Sequence, residues 1–339
     1  MTCIVDSENY LKQNKLVCKA VLVDVTKIIK NRNEDVCMKD IEKYKEITIV
    51  VSSCDKFKDA WEPFFILLDK YWIDHPRKVL LNSETIEYEG PHKYVKTVLN
   101  SNNKSWTERI RNTIKQVDTE FVLFFLEDYF IWDYVNESIF NEALQLMQTD
   151  DKTGAVIFHG VSRDEKFNTK FDSDAFFVEQ KKDLISRAHV CVTLFRKDYL
   201  MKMLCADENP WRYERESFAR SIALKKKIFA QNYRCSTPCF LYYLKPRDNI
   251  GINQGKWLKD TIPMLEKNGI TNIDYDNLGV YDEYLRPHMD KDIQKLMRKG
   301  FKEVLHEKIF KKIKYSMYGR KLKAIYYRFY YTFLYKDRG

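Results

Sequence analysis

The sequence predicts an α/β protein with a mostly parallel central sheet flanked by helices. Three features carry that expectation. Phe121-Val-Leu-Phe-Phe-Leu126 is a six-residue apolar run, too short for a free-standing helix and rich in β-favouring types, so it reads as a strand buried on both faces. Ile47-Thr-Ile-Val-Val51 is a β-branched run of the same kind, and it reads as the first strand. Beyond each strand, apolar residues recur at helical spacing, as at Phe57, Trp61, Phe64, Phe65, Leu68 and Trp72, so strands and helices alternate along the chain.

A chain of 339 residues can hold one large α/β domain or two smaller ones. Its 45% hydrophobic and 14% aromatic content excludes disorder for most of the length. Residues 1–45 read as an N-terminal extension with one strand and one helix. After the first strand comes Ser52-Ser-Cys-Asp55, a polar turn able to set hydroxyls and amides against a nucleotide or simply to cap the next helix. Lys78–Leu81 is the second strand, and 82–103 a loop with a short strand at Tyr94–Leu99. Ser105–Val117 is an amphipathic helix with Trp106, Ile110, Ile114 and Val117 inward, capped by Ser105 with Glu108 as its capping-box partner.

The central strand follows and runs directly into Glu127 and Asp128. Two carboxylates at the carboxyl end of a central strand stand where open α/β sheets bind ligands. Hard oxygen ligands suit Mg²⁺ or Mn²⁺, which in turn would hold a diphosphate. The plainer alternative is a turn or the N-cap of the next helix. Further on, Asn136–Met147 reads as a helix, Thr153–His159 as a strand, Gly160–Lys182 as a mobile loop, Phe218–Ile228 as an apolar helix and Phe240–Leu244 as a last strand.

Several classes are excluded. No G-x-G-x-x-G or G-x-x-x-x-G-K-[ST] pattern occurs among only ten glycines, which argues against a nicotinamide Rossmann enzyme or a P-loop NTPase. Eight cysteines with no C-x-x-C pair argue against zinc and for free thiols. The six histidines form no H-E-x-x-H motif, and His159 and His189 read as core residues beside apolar runs. The absence of a signal peptide, and of any apolar run near the roughly 20 residues of a membrane span, predicts a cytoplasmic chain.

A strand ending in Ser-Ser-Cys-Asp55, a helix carrying Ser105, Trp106 and Arg109, and an apolar strand ending in Leu126-Glu-Asp-Tyr-Phe130 together resemble bacterial sugar-nucleotide glycosyltransferases of the GT-A fold. Val190–Asp198 looks like the strand and turn before an acceptor-side helix, and Asn209–Glu216 like the acidic loop that holds the catalytic base. The resemblance covers residues 46–260. It implies a GT-A-like catalytic domain over 46–270 and a C-terminal helical segment over 271–339. It also implies a hexosyltransferase that uses a nucleotide sugar, a UDP-sugar first, and a saccharide or lipid-linked glycan acceptor, with an inverting outcome.

Such transfer needs charge neutralised on the departing diphosphate and a base for the acceptor hydroxyl. The resemblance assigns the metal to Asp128 with Glu127, and the base to Glu214, with Glu216 and Asp207 as the other candidates. Ser52, Ser53, Asp55, Arg109 and Glu127 belong on the donor side. Arg109 would brace the phosphates or orient Asp128, or else form a surface ion pair. The polar run Lys245–Trp257 could fold over the diphosphate with Arg247 or Lys256 as its cation, or remain a solvated loop. A nucleotidyltransferase is the rival enzyme, and it would need a Gly-rich phosphate loop after the first strand. The other rival is a non-catalytic protein that binds a membrane or nucleic acid through its tail.

That tail is where the charge lies. Residues 301–339 hold eleven Lys or Arg against three acids, a net +8 out of the chain's +9. They also carry many aromatics, among them Tyr326, Tyr327, Phe329 and Tyr330. A basic helix with an aromatic face is suited to an anionic lipid surface, which predicts peripheral attachment to the inner face of the cell membrane. A helix packed on the catalytic domain is the alternative, and nucleic acid is not an expected partner because no base-stacking module is evident.

Overall fold

The computed structural model describes residues 43–158, 175–180, 188–232, 238–242, 251–253, 255–281 and 317–335. The chain divides into two compact units, and the larger, Glu46–Ile73 with Arg77–Gly339, contains every element named below. Expectations about residues 1–42, His159, Arg247 and the tail outside 317–335 lie outside the described residues.

The main sheet has eight strands: β1 (Ile47–Ser52), β2 (Val79–Ser83), β3 (Val95–Leu99), β4 (Phe121–Leu126), β5 (Thr153–Ile157), β6 (Phe177–Glu179), β7 (Thr193–Arg196) and β8 (Lys227–Gln231). Their order is β3-β2-β1-β4-β7-β5-β8-β6. The first four in that order are parallel. β7 then inserts antiparallel to both β4 and β5, β5 and β8 are parallel, and β6 closes the edge antiparallel to β8. The sheet is therefore mixed and mostly parallel, as expected. β4 lies at the switch, with a parallel neighbour on one side and an antiparallel one on the other. β1 and β2 are buried throughout and β4 nearly so, which is why their sequences run apolar instead of alternating. β3, at the edge, alternates in burial and exposes Lys96, a charge that discourages edge pairing.

Helices flank the sheet: α1 (Trp61–Tyr71), α2 (Trp106–Lys115), α3 (Glu137–Thr149), α4 (Lys197–Met203), α5 (Pro210–Ala223), α6 (Thr261–Lys267) and α7 (Met317–Phe329), the last running into a π-helical turn at Tyr330–Leu334. A short 3-10 turn (Asp55–Ala60) precedes α1. β9 (Ile252–Asn253), β10 (Lys256–Leu258) and β11 (Val280–Tyr281) make a small second sheet.

Four expectations are corrected. Asn209–Glu216 is not a loop, and the helix does not begin at Phe218. Asn209 caps α5 by accepting from the Arg212 amide at 2.8 Å, with Pro210 in the first turn, a pairing that starts a helix because proline has no amide to leave unsatisfied. Ile228, expected in that helix, lies in β8. Within the expected loop Gly160–Lys182, residues Phe177–Glu179 are the edge strand β6. Phe240–Tyr242 belong to no strand. Phe240 instead fills the core, its ring 4.9 Å from Phe158, 5.4 Å from Trp72 and 5.7 Å from Phe125, and its apolar neighbours answer to that packing.

Candidate functional site

The site is built on the turn that ends β4. Glu127 and Asp128 are only 7% and 6% exposed, and the Tyr129 amide closes the turn by donating to the Leu126 carbonyl at 3.2 Å. The Asp128 carbonyl accepts from the Gly251 amide at 3.0 Å. A Cβ at Gly251 would lie 2.2 Å from the Phe130 ring and 3.0 Å from the Asp128 carbonyl oxygen, so only glycine lets β9 approach this closely. Phe130 stacks on Trp257 of β10 at 6.0 Å. Part of the run expected to fold over the diphosphate thus packs against the acidic turn. Within it Lys256 is exposed. Gly255, at φ +77°, closes the β9–β10 hairpin, and a Cβ there would meet the Lys56 ammonium at 2.6 Å. Lys56 is therefore a second cation where the β1 turn meets that hairpin.

The end of β1 comes next. The Ser52 hydroxyl accepts from the Trp106 indole at 2.9 Å and the Ser53 hydroxyl from the Trp61 indole at 2.7 Å. The Asp55 carboxylate accepts from the Ser83 hydroxyl at 2.8 Å, from the amides of Glu84, Thr85 and Ile86 at 3.0–3.1 Å, and from the Thr85 hydroxyl. Burial pushes Asp55 up, but the bonds from Thr85 and Ser83 outweigh it and hold the carboxyl below its usual range. Ser52, Ser53 and Asp55 thus stand at the end of the sheet where they were expected, with side chains that shape the loops.

Arg109 lies in the first turn of α2. The Ser105 hydroxyl caps that helix by accepting from the Glu108 amide at 3.2 Å, the bond that the capping box predicts. Arg109 is buried and ion-paired with Glu84, just past β2, so it is not a surface pair. Burial works against its charge, and Cys54, Asp55 and Glu127 offset part of that loss. Its Nε is buried and without a hydrogen-bond partner among the described residues. Replacing Ser105 by Ala should destabilise the protein by about 1 kcal/mol, read as a lower urea midpoint at unchanged slope; an unmoved midpoint would remove the cap from this account.

The three base candidates separate clearly. Glu214, with a side chain 39% exposed, accepts from the Val190 amide at 3.0 Å and lies 3.7 Å from His189 Nδ1. The carbonyl of the same Val190 accepts from the Tyr129 hydroxyl at 3.2 Å. Glu214 and the acidic turn are thus joined through one residue. Glu216 pairs instead with Lys323 of α7, and Asp207 accepts from the Ser105 hydroxyl at 3.4 Å. Trp106 ties these parts together, its ring 6.4 Å from Phe124 and 5.4 Å from Tyr213 of α5. His189 is half-exposed beside Glu214, a correction to its reading as a core residue.

No protein-family model matches this chain, and no curated protein matches its sequence. Solved structures give slight likenesses. The bifunctional IspDF from Campylobacter jejuni is similar over 55% of this chain and 49% of its own, at 16% identity and a TM-score of 0.35. S. aureus TarS 1-349 is similar over 57% and 59%, at 14% identity and a TM-score of 0.37. A cytidylyltransferase from Leptospira borgpetersenii serovar Hardjo-bovis is similar over 58% and 81%, at 9% identity and a TM-score of 0.36. The chain thus spans less than two thirds of the first two.

The electrostatics of the acidic pair fit a cation. Burial pushes Asp128 up to about 7, with its own amide and that of Ile252 pulling partly back. Burial and the neighbouring Asp128 charge push Glu127 well above the usual carboxylate range. The positive charge of Arg109, ion-paired with Glu84, pulls Glu127 partly back. Two carboxylates so placed suit Mg²⁺ or Mn²⁺, which keep waters and take substrate phosphates as further ligands. Among the described residues no group of three His, Cys, Asp or Glu could hold a metal; Glu127 and Asp128 are a pair.

A pH dependence follows. An unfolded Asp releases its proton near 4 and the folded Asp128 near 7, so the stability this group contributes is complete below about pH 4 and is lost as pH rises through about 7. A cation needs the carboxylates deprotonated. Mn²⁺ affinity should therefore rise between about pH 5 and 8 with release of a proton, as calorimetry in two buffers of different ionisation heat would read. An affinity flat across that interval would contradict the assignment.

Glu84, Cys54 and Lys56 were missed. Glu84 carries the signal that drew attention to Glu127, an acid just beyond an apolar strand. Cys54 stands inside the turn already singled out, and Lys56 one residue beyond it.

Proposed function

We propose that this chain transfers a glycosyl group from a nucleotide sugar, a UDP-sugar first, to a hydroxyl of a saccharide or lipid-linked glycan acceptor. The observation that carries the reading is the buried Glu127–Asp128 pair, at the end of the strand where the sheet switches from parallel to antiparallel. Glu127 and Asp128 would hold a divalent cation against the donor diphosphate; Mg²⁺ or Mn²⁺, when bound, neutralises charge there. Arg109 braces Glu127 and the diphosphate from the α2 side. Lys56 adds a positive charge from the β1 turn.

Glu214 is the base. Its Oε1 is oriented by the Val190 amide, and its partial exposure leaves it open to an acceptor. The acceptor hydroxyl gives its proton to Glu214 while its oxygen bonds the anomeric carbon, and the bond from that carbon to the diphosphate oxygen breaks. One base and one displacement correspond to inversion. Glu216 is held by Lys323, and Asp207 accepts from the Ser105 hydroxyl at the start of α2, whereas Glu214 is the candidate joined to the acidic turn through Val190 and Tyr129.

The test is a panel of UDP, GDP, CDP and dTDP sugars with Mn²⁺. One donor should raise the melting temperature, because it binds only the folded chain, and should release its nucleoside diphosphate. Release of pyrophosphate from a nucleoside triphosphate, with no diphosphate from any sugar nucleotide, would assign a nucleotidyltransferase instead.

A further inference from the structure

Helix α7 has two unlike faces. One packs on α5: Lys323 pairs with Glu216, the Tyr327 hydroxyl accepts from Arg220 at 3.3 Å, and Ala324 is buried between them. Just past the helix, the Tyr331 hydroxyl donates to the Lys202 carbonyl at 2.7 Å. Arg220 is itself buried, in a two-bond pair with Glu208 at 3.0 and 2.6 Å. This contact orients the helix. The other face carries Leu322, Ile325, Tyr326 and Phe329, each 53–65% exposed. At 3.6 residues per turn, positions 322, 325, 326 and 329 form one stripe, roughly opposite 324 and 327.

Such a stripe is more than scattered surface apolarity, because four large side chains are contiguous along two turns. Its charge is one-sided. Residues 317–335 hold Arg320, Lys321, Lys323 and Arg328 and no acid, and Arg328 is exposed beside the stripe. Among the described residues no helix is long and apolar enough to cross a membrane. An apolar stripe on a wholly basic helix, anchored to the body by its far side, suits a surface that is apolar below and anionic above.

We propose that the Leu322–Phe329 face of α7 docks the protein on an anionic lipid surface, with the stripe entering the headgroup boundary and the helix lying flat. The packed face stays on α5, so docking needs no unfolding of the helix. It also sets α5, which carries Glu214, one helix away from the lipid.

The test uses the full-length protein and vesicles of phosphatidylcholine alone or mixed with phosphatidylglycerol. The wild-type protein should sediment with the mixed vesicles and be released by salt. Leu322→Ser combined with Ile325→Ser should lower the bound fraction by roughly tenfold or more, and Arg328→Glu should lower it at low salt. All three positions are exposed, so the variants should keep the wild-type melting temperature. Equal sedimentation of wild type and double variant would overturn the proposal. So would binding to both vesicle types alike, or a wild-type dimer that the double variant abolishes without any vesicle binding, which would make this face an interface between copies. None of these readouts depends on glycosyl transfer.

Discussion

Replacing Asp128 by Asn is expected to lower glycosyl transfer by on the order of 10³-fold while the fold stays intact, since neutralising charge on a departing diphosphate is worth several kcal/mol. The side chain barely changes in volume, and an amide can still accept from Ile252. What it lacks is the negative charge. Because burial already raises the carboxyl of Asp128 to about 7, the substitution also removes a group that is hard to ionise when the site is empty. The metal-free variant should therefore be at least as stable as the parent at about pH 8, which is the sign expected from linkage. Calorimetry should find Mn²⁺ binding lost. Wild-type turnover, or unchanged Mn²⁺ affinity, in a folded variant would end the metal assignment.

Glu214→Gln is expected to lower turnover by roughly 10²–10⁴, the usual share of a general base, with donor affinity nearly unchanged. Gln keeps a carbonyl oxygen for the Val190 amide, so the loop at 188–190 should hold its place. The loss should appear in transfer to acceptor and not in the melting-temperature rise caused by donor. Glu216→Gln is the comparison. It removes the charge that pairs with Lys323 of α7, so its effect should be on stability. If Glu216→Gln or Asp207→Asn proves the severe variant for turnover, the base has been misassigned.

Much of the fold is legible along the chain because the determinants are local. β1 and β4 announce themselves as unbroken apolar runs, which a strand buried on both faces requires. The start of α2 is written in Ser105 and Glu108, since a cap acts on amides two or three residues away. The same chemistry was present in Asn209-Pro210 and marks the start of α5, although its likeness to an acidic loop hid it. A carboxylate pair directly after β4 is visible for the same reason: strand and turn are adjacent in sequence.

What the chain does not spell out is decided by groups far apart in it. Nothing local tells β7 to enter antiparallel between β4 and β5, since a short apolar strand fits either direction and only the closed sheet selects one. Arg109 meets Glu84 from 25 residues away, and Asp55 turns to the loop at 83–86 because β1 and β2 end side by side. Glu216 and Glu214 are two residues apart on one helix, yet one is held by Lys323 and the other by Val190. Which partner each carboxylate takes depends on what α7 and the loop before β7 bring to it. By itself the sequence determined β1, β4, the Ser105 cap and the acidic turn, through interactions within a few residues. The tertiary structure decided the partners, because a charge takes the nearest opposite charge or amide in space, and nearness in space is settled only when the sheet has closed.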